Sequence, residues 1–560
     1  MKWPSWMQSV LLFATFINLV AARAFAMPTS VSFNASATSV EAYDFIEIRV
    51  RVTSPDAANP FNDVSVEGLF ETMDGSRQWK VNGFCDSADG SLFRIRFMPA
   101  TTGDYKYRIV YRQGVFEKAS SGTFHASDGH RAGPIRVDAQ YPWHFLWEGT
   151  GQHYFFNGTT AYFLMGFQDQ HIVEYSIARL HRLKVNRMRV TLAGRTIYFF
   201  GERVSPDGRN WTVFLSPWPA EKVDDFSHPG FDYKRFNVAY WERWDEMLRF
   251  ARDQDMIISI VLDMNDNKVH PAAGSEDEHR YIQYAVNRLG AFSNITWDLG
   301  DDLDVYRDDQ WSHETGTLLE RWDPYKHLAT THPALDMRHQ DRSSDWFGFT
   351  SYQDWSRDRK QHEVMLTSRK RQEATGRIIP QTNEEYGYED HYPAWAPAPP
   401  GDSADELRRT AWAIVMAGAY QDTGETTRQG TNVWPDTGGG WFNGRGDDNM
   451  TMLQGYGHMV DFFTSFKWWK TNPHDELVDN GNYCLADPGK TYVVYLPHAG
   501  KVTVQLQAGH YFAQWFNPRI GEYIPLPVVE GGAWTSPDPE VNNSEKWPTT
   551  KDWVLFLQSQ

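Results

Sequence analysis

Two stretches of the chain gather carboxylates densely enough to do chemistry. One is Trp297-Asp298-Leu299-Gly300-Asp301-Asp302-Leu303-Asp304, the other Asn383-Glu384-Glu385-Tyr386-Gly387-Tyr388-Glu389-Asp390. An acidic pair in an acidic chain is commonly a solvated turn. Here each cluster closes an apolar run and is flanked by Trp or Tyr, which is where an active site is built. Two carboxyl groups facing each other across a cleft can cleave a glycosidic bond. One stays neutral and protonates the leaving oxygen; the other is ionised and attacks or stabilises the oxocarbenium-like centre. The aromatic content, 24 Trp, 26 Tyr and 34 Phe, suits stacking on sugar rings.

Other chemistries fit poorly. His362-Glu363 lacks a second His four residues on, no G-x-S-x-G is present, and Gly438-Gly439-Gly440 has no Lys beside it. Cys/His clusters of metal-ligand spacing are absent, so neither metal nor cofactor is expected. A net charge of −18 repels phosphate backbones and argues against nucleic acid as a partner. The two cysteines, Cys85 and Cys484, exclude a disulfide framework and read best as unpaired structural thiols, with one long-range bridge as the alternative. Lys2, the apolar run Val10 to Val20 and the small-x-small site Ala24-Phe25-Ala26 read as a signal peptide over residues 1–26. The expected mature chain is secreted or periplasmic. No later stretch reaches about 18 uncharged apolar residues, so no stable membrane insertion is expected. Nothing in the sequence signals an oligomeric state.

The elements that must position the acids fall into three blocks. Residues 27–137 alternate at period two, as in Phe45 to Val52, Phe93 to Phe97 and Tyr105 to Tyr111, and predict a small β-sandwich. Residues 138–471 switch to strand then helix. Strands are expected at 162–166, 185–192, 256–264, 294–300, 327–331, 346–350, 377–382 and 417–421, with helices over 241–253 and 278–292. Eight strands separated by helices predict a (β/α)8 TIM barrel with long loops; a doubly wound sheet is the alternative, lowered by the lack of a G-x-G-x-x-G after the first strand. Residues 472–560 return to strands and predict a C-terminal β-sandwich. In a barrel, catalytic groups project from the C-terminal strand ends, and strands four and seven lie on opposite sides of the ring.

Trp297-Asp-Leu-Gly-Asp-Asp302 resembles the W-N-L-G-N-E strand end of the large superfamily of retaining (β/α)8 glycoside hydrolases. It is more similar still to the apiosidase-like branch, with L-G-G-D after strand four and E-P-x-Y-E after strand seven; here the second pattern reads Glu385-Tyr386-Gly387-Tyr388-Glu389. The resemblance implies Asp302 as acid/base and Glu385 as nucleophile. It extends to Asn59-Pro60-Phe61, Val81-Asn82-Gly83-Phe84 and Arg96-Phe97-Met98-Pro99 in the first block, which are similar to the immunoglobulin-like N-terminal domain often attached to these enzymes. In the barrel it covers Gly158-Thr-Thr-Ala-Tyr162, Thr331-His332-Pro333 and Ser343-Ser-Asp-Trp-Phe347. At the end it covers Tyr483 to Asp487, Tyr492 to Leu496 and Trp515 to Gly521, similar to the β-domain labelled "putative collagen-binding". Asp301 stands where the superfamily has a sugar-binding Asn and the apiosidase-like branch a Gly, and Tyr386 replaces Pro. A second carboxylate at 301 disfavours ionisation of both neighbours, which keeps one protonated as an acid requires.

Around this pair, Arg189 is expected to orient Glu385 and keep it ionised. Asp263, Asn265 and His332 are candidates for sugar hydroxyls. Tyr352, Trp355, Trp434 and Trp441 are candidates for stacking, and Glu384 is the alternative nucleophile. The expected function is a glycoside hydrolase retaining configuration by double displacement on a polysaccharide or oligosaccharide. The alternative is a non-catalytic carbohydrate- or matrix-binding protein on the same barrel.

Overall fold

The computed structural model describes residues 28–162, 164–166, 169–192, 216–222, 228–264, 270–334, 344–387, 403–423, 451–479, 481–540 and 551–560. Its centre is an eight-stranded parallel sheet: β1 (Asn157–Thr160), β2 (Arg187–Thr191), β3 (Ile257–Val261), β4 (Ile295–Asp298), β5 (Ala329–Thr330), β6 (Thr350–Tyr352), β7 (Gln381–Asn383) and β8 (Tyr420–Thr423). The strands neighbour one another in chain order, and β1 pairs with β8. A parallel bridge between Ala329 and Phe347 joins β5 to the approach of β6 and closes the ring. Seven of the eight predicted ranges carry a strand, the sixth meeting its range only at Thr350, and the first is displaced. The first is the polar run Asn157–Thr160, while Leu164–Gly166 forms a short 3-10 turn.

Helices α1 (Gln170–Arg182), α2 (Val238–Arg252), α3 (Glu276–Leu289), α4 (Asp309–Trp322), α5 (Asp358–Thr375), α6 (Ala404–Met416) and α7 (Thr451–Thr464) surround the ring. In α2 an apolar face is buried, made of Trp241, Trp244, Met247, Leu248 and Ala251, whereas α5 buries the mostly polar set Gln361, His362, Met365, Ser368, Arg369 and Gln372. Side-chain caps fix several starts: Ser275 accepts from the Glu278 amide, and Ser403 with Glu406 forms a reciprocal capping box.

The N-terminal block is two sheets of four and five strands over a core that includes Ile48, Val50, Phe70 and Phe97. It meets the barrel through a buried ion network. Arg96 forks onto Asp245 of α2 at 2.7 and 2.8 Å and reaches Glu47 at 3.0 Å; Arg288 of α3 bridges Asp245 at 2.9 Å and Asp86 at 2.7 Å. Arg94 completes it on Glu47 and Asp86. The C-terminal block is all-β as expected, its six antiparallel strands pairing in one continuous order. Register shifts interrupt its long hairpin, Thr503–Asn517 against Glu522–Thr535, and an isolated bridge ties Val478 to Val504. This sheet packs on the barrel: Tyr495 stacks on Trp412 of α6 with centroids 5.3 Å apart, and Arg408 pairs with the buried Asp552 at 2.7 Å. Cys85 and Cys484 are both buried and free, in different blocks. Among the described residues no helix is long and apolar enough to cross a membrane.

Candidate active site

Strand alternation puts Arg187 and Arg189, two apart on β2, on the same inward face of the ring, and both are fully buried. A buried guanidinium needs acceptors, and strand ends around the ring supply them. Arg187 meets Asp422 of β8 at 2.9 Å and Glu384 at 3.0 Å. Arg189 meets Asp298 at 2.8 Å, Asp301 at 3.0 Å and Glu384 at 3.1 Å. Ser351 and Thr382 also donate to Glu384, at 2.8 and 3.1 Å. Burial works against the Glu384 charge, but Arg187 and Arg189 overcome it and hold the carboxyl below its ordinary range. With donors on both oxygens and no exposure, Glu384 is a fixed counter-ion to the two arginines and has no free lone pair aimed at the mouth.

One residue further on, Glu385 turns to the barrel mouth. Tyr162 Oη lies 3.1 Å from its Oε2, and His332 Nε2 lies 3.4 Å away. The same Tyr162 hydroxyl is 2.8 Å from Asp301 Oδ1 and receives a hydrogen bond from Arg189 Nη1 at 2.7 Å. Asp301, His332 and Glu385 thus offer polar atoms all within 4.8 Å of one another. Burial drives the Asp301 carboxyl up from its ordinary value; Arg189 and His332 oppose, and the neighbouring Glu385 charge adds to the rise. Asp298, buried beneath, is pushed up to about 6 despite Arg189.

The turn that delivers the acids is tight. A side chain at Gly300 would stand 2.6 Å from Leu303 and 2.7 Å from the Tyr306 hydroxyl. Asp302 adopts the left-handed conformation at φ 50°, half-buried, and opens a one-turn helix. For a residue other than glycine that conformation costs about 1–2 kcal/mol, and Asp tolerates it better than most.

Of the predicted residues, the structure brings together Glu385, Asp301, His332, Arg189 and Glu384, with Asp302 next in line. Arg189 serves Glu384 directly and Glu385 only through Tyr162, a shift from the direct contact expected. Asp263 shares the neighbourhood through its backbone, whose carbonyl accepts from the Asp301 amide. Its carboxyl turns aside to Arg307 at 2.9 Å, and burial raises it to about 6. Tyr352 is a correction: it is fully buried with its hydroxyl against Ser368 of α5, in the layer between strand and helix and not in the mouth. Trp355 is 37% exposed in the loop after β6, as a stacking ring would be. Asn265, Trp434 and Trp441 lie outside the described residues. Tyr386, at the position of the family Pro, anchors the turn outward by donating to Gln421 at 2.7 Å. Tyr162 carries the site and was not among the expected residues; its only signal was its place at the end of the Gly158–Tyr162 motif.

The three converging ligand atoms have a spacing a divalent ion accepts. Asp301 Oδ1, however, already faces Tyr162 Oη and the Arg189 guanidinium, whose positive charge stands where it would repel a cation. The donor set suits a neutral polyol held by carboxylates, imidazole and phenol.

A closed parallel barrel with carboxylates converging at its C-terminal mouth defines a glycoside-hydrolase-like protein. Residues 212–426 match the family model "Apiosidase-like, catalytic domain", and residues 474–558 match "Putative collagen-binding domain of a collagenase". Residues 39–112 match a domain of unknown function, DUF5060. The central segment is therefore similar to an apiosidase-like catalytic domain, and it lies between two β-domains. Its fold is similar to a solved structure described as "a putative glycoside hydrolase from Bacteroides vulgatus", at TM-score 0.74 and 20% identity over 94% of this chain and 100% of that one. A structure described as "Glycoside hydrolase" aligns at TM-score 0.60 and 15% identity, covering 77% and 97%. A family 5 glycoside hydrolase from Bacteroides vulgatus aligns at TM-score 0.59 and 15% identity, covering 76% and 93%. No curated protein matches.

Proposed function

We propose that the protein is an exported glycoside hydrolase that cleaves a polysaccharide or oligosaccharide with retention of configuration. The observation that carries this reading is the convergence of Glu385 with Asp301, the residue before the proposed acid, at one end of the ring, their polar atoms lying within 4.8 Å; retention further requires the Glu385 and Asp302 carboxyls themselves to stand close. Retaining enzymes hold their two carboxyls about 5–5.5 Å apart, whereas inverting ones leave about 6.5–9.5 Å for a water. Glu385 attacks the anomeric carbon, the glycosidic C–O bond breaks, and Asp302 gives its proton to the departing oxygen. A water then surrenders a proton to Asp302 and displaces Glu385, restoring both carboxyls.

Asp302 is favoured over Asp301 as acid because Asp301 is already tied to Tyr162 and Arg189, while Asp302 is held in the left-handed conformation at φ 50° in the turn beside it. Glu385 is favoured over Glu384 because the latter's oxygens are committed to the barrel arginines.

The test is hydrolysis of a panel of 4-nitrophenyl glycosides and polysaccharides, with product anomers followed by NMR. Glu385→Gln should abolish turnover in a folded protein. Asp302→Asn should lose turnover of poor leaving groups, keep it on dinitrophenyl glycosides and form a glycosyl azide of retained configuration when azide is added. An Asp301→Asn protein behaving that way instead would move the acid one residue. Binding without product across the panel would favour the non-catalytic reading. N-terminal sequencing of exported material checks cleavage near Ala26.

A further inference from the structure

We propose that Tyr162 is a positioning residue whose single hydroxyl hydrogen is shared between Asp301 and Glu385 and follows whichever carboxylate carries the charge. The inference rests on the reading of Glu385 as nucleophile. Arg189 occupies an acceptor position of the phenol oxygen through Nη1 at 2.7 Å, and its guanidinium sits over the ring, 5.3 Å from the centroid. The ring is therefore pinned, and among the described residues its hydrogen has two acceptors in reach, Asp301 Oδ1 at 2.8 Å and Glu385 Oε2 at 3.1 Å. One hydrogen serves one of them at a time. The charged groups facing the phenol are Arg189 from β2, Asp301 after β4, His332 after β5 and Glu385 after β7, with Asp298 and Glu384 behind the guanidinium.

In the free enzyme the hydrogen bond to ionised Glu385 aims and stabilises the attacking carboxylate. Once Glu385 has formed the C–O bond to the sugar it is a neutral ester, a poor acceptor, and the phenol turns to Asp301. When water displaces the ester, negative charge returns to Glu385 and the hydroxyl turns back, assisting its departure. No proton is transferred by Tyr162; its O–H bond stays intact throughout.

Tyr162→Phe keeps the ring over Arg189 and removes the hydroxyl. The expected result is a fall in kcat of about 10–100-fold with KM changed less than about threefold. Because a donor that favours ionised Glu385 is gone, the acid limb of kcat/KM for the 4-nitrophenyl glycoside turned over by the wild type should move to higher pH. A difluorotyrosine at 162, a stronger donor of the same shape, should move that limb to lower pH, and it decides the matter should the Phe protein fail to fold. Superimposable pH profiles for wild type and both variants would overturn the proposal. Failure of the underlying reading looks different: turnover surviving Glu385→Gln removes the nucleophile itself, whatever Tyr162 does.

Discussion

At the seam between the N-terminal sheets and the barrel, three arginines (Arg94, Arg96, Arg288) meet three carboxylates (Glu47, Asp86, Asp245). Inside the barrel mouth two arginines (Arg187, Arg189) share four (Asp298, Asp301, Glu384, Asp422), and a fifth, Glu385, joins through Tyr162. Both clusters are buried and both are built from the same forks of guanidinium and carboxylate, so burial alone does not separate structure from chemistry. The balance of charge does. At the seam, burial of Asp245 and Glu47 is outweighed by the arginines, and both carboxyls sit below their ordinary range. In the mouth there are too few cations: Asp298, Asp301 and Asp422 are pushed up by burial that Arg187 and Arg189 do not cancel. A closed network is a joint; one left short of positive charge keeps protons available near neutral pH.

The contrast can be broken by exchange of effects. Glu385→Gln should lower turnover by at least about 10⁴-fold with Tm unchanged, since it removes a charge from the crowded side; an enzyme still active would erase the distinction. Asp245→Ala should do the converse, destabilising by about 3–5 kcal/mol in denaturant unfolding because Arg96 and Arg288 lose their common partner, while turnover per folded molecule stays as it was.

Asp298→Asn sharpens the electrostatics. The folded carboxyl is raised to about 6 from 3.8, so its stabilising contribution is full below about pH 4 and is lost as pH rises past 6. The variant should match wild type near pH 4 and gain on it by pH 7, by an amount of order 1–3 kcal/mol read from paired melts. A constant difference across pH would remove Asp298 from the account. The smallest effect belongs to Arg112, which bridges Glu67 and Glu117 on the open surface; Arg112→Ala should leave Tm unchanged within error.

Much of the barrel was legible because Val185 to Leu192 and Met256 to Met264 are apolar enough to mark strands, and the acids after β4 and β7 fall at their ends. The first strand was misplaced for a physical reason. Asn157–Thr160 carries no apolar residue, since its side chains face other strands or a polar interior, and hydropathy moved the expectation to the greasier 162–166. Tyr162 was invisible for a different one: it lies 139 residues from Asp301 and 223 from Glu385, and only closure of the ring makes it their neighbour. Tyr352 misled because a strand-end aromatic can face either layer, and sequence does not record which. In the last block, register shifts at 506–510 and 511–513 break the alternation along Thr503–Asn517, so sequence pattern alone does not reveal one long strand there.

The stacked Trp412 and Tyr495, with Arg408 on Asp552, weld the barrel to the last sheet. A chain trimmed at residue 471 would bare the indole and the Phe462 and Phe463 rings that crowd it, and would take Asp552 from Arg408, leaving that guanidinium to Asp405. Such a fragment would clump before it could turn over anything, so the smallest working catalyst includes its tail.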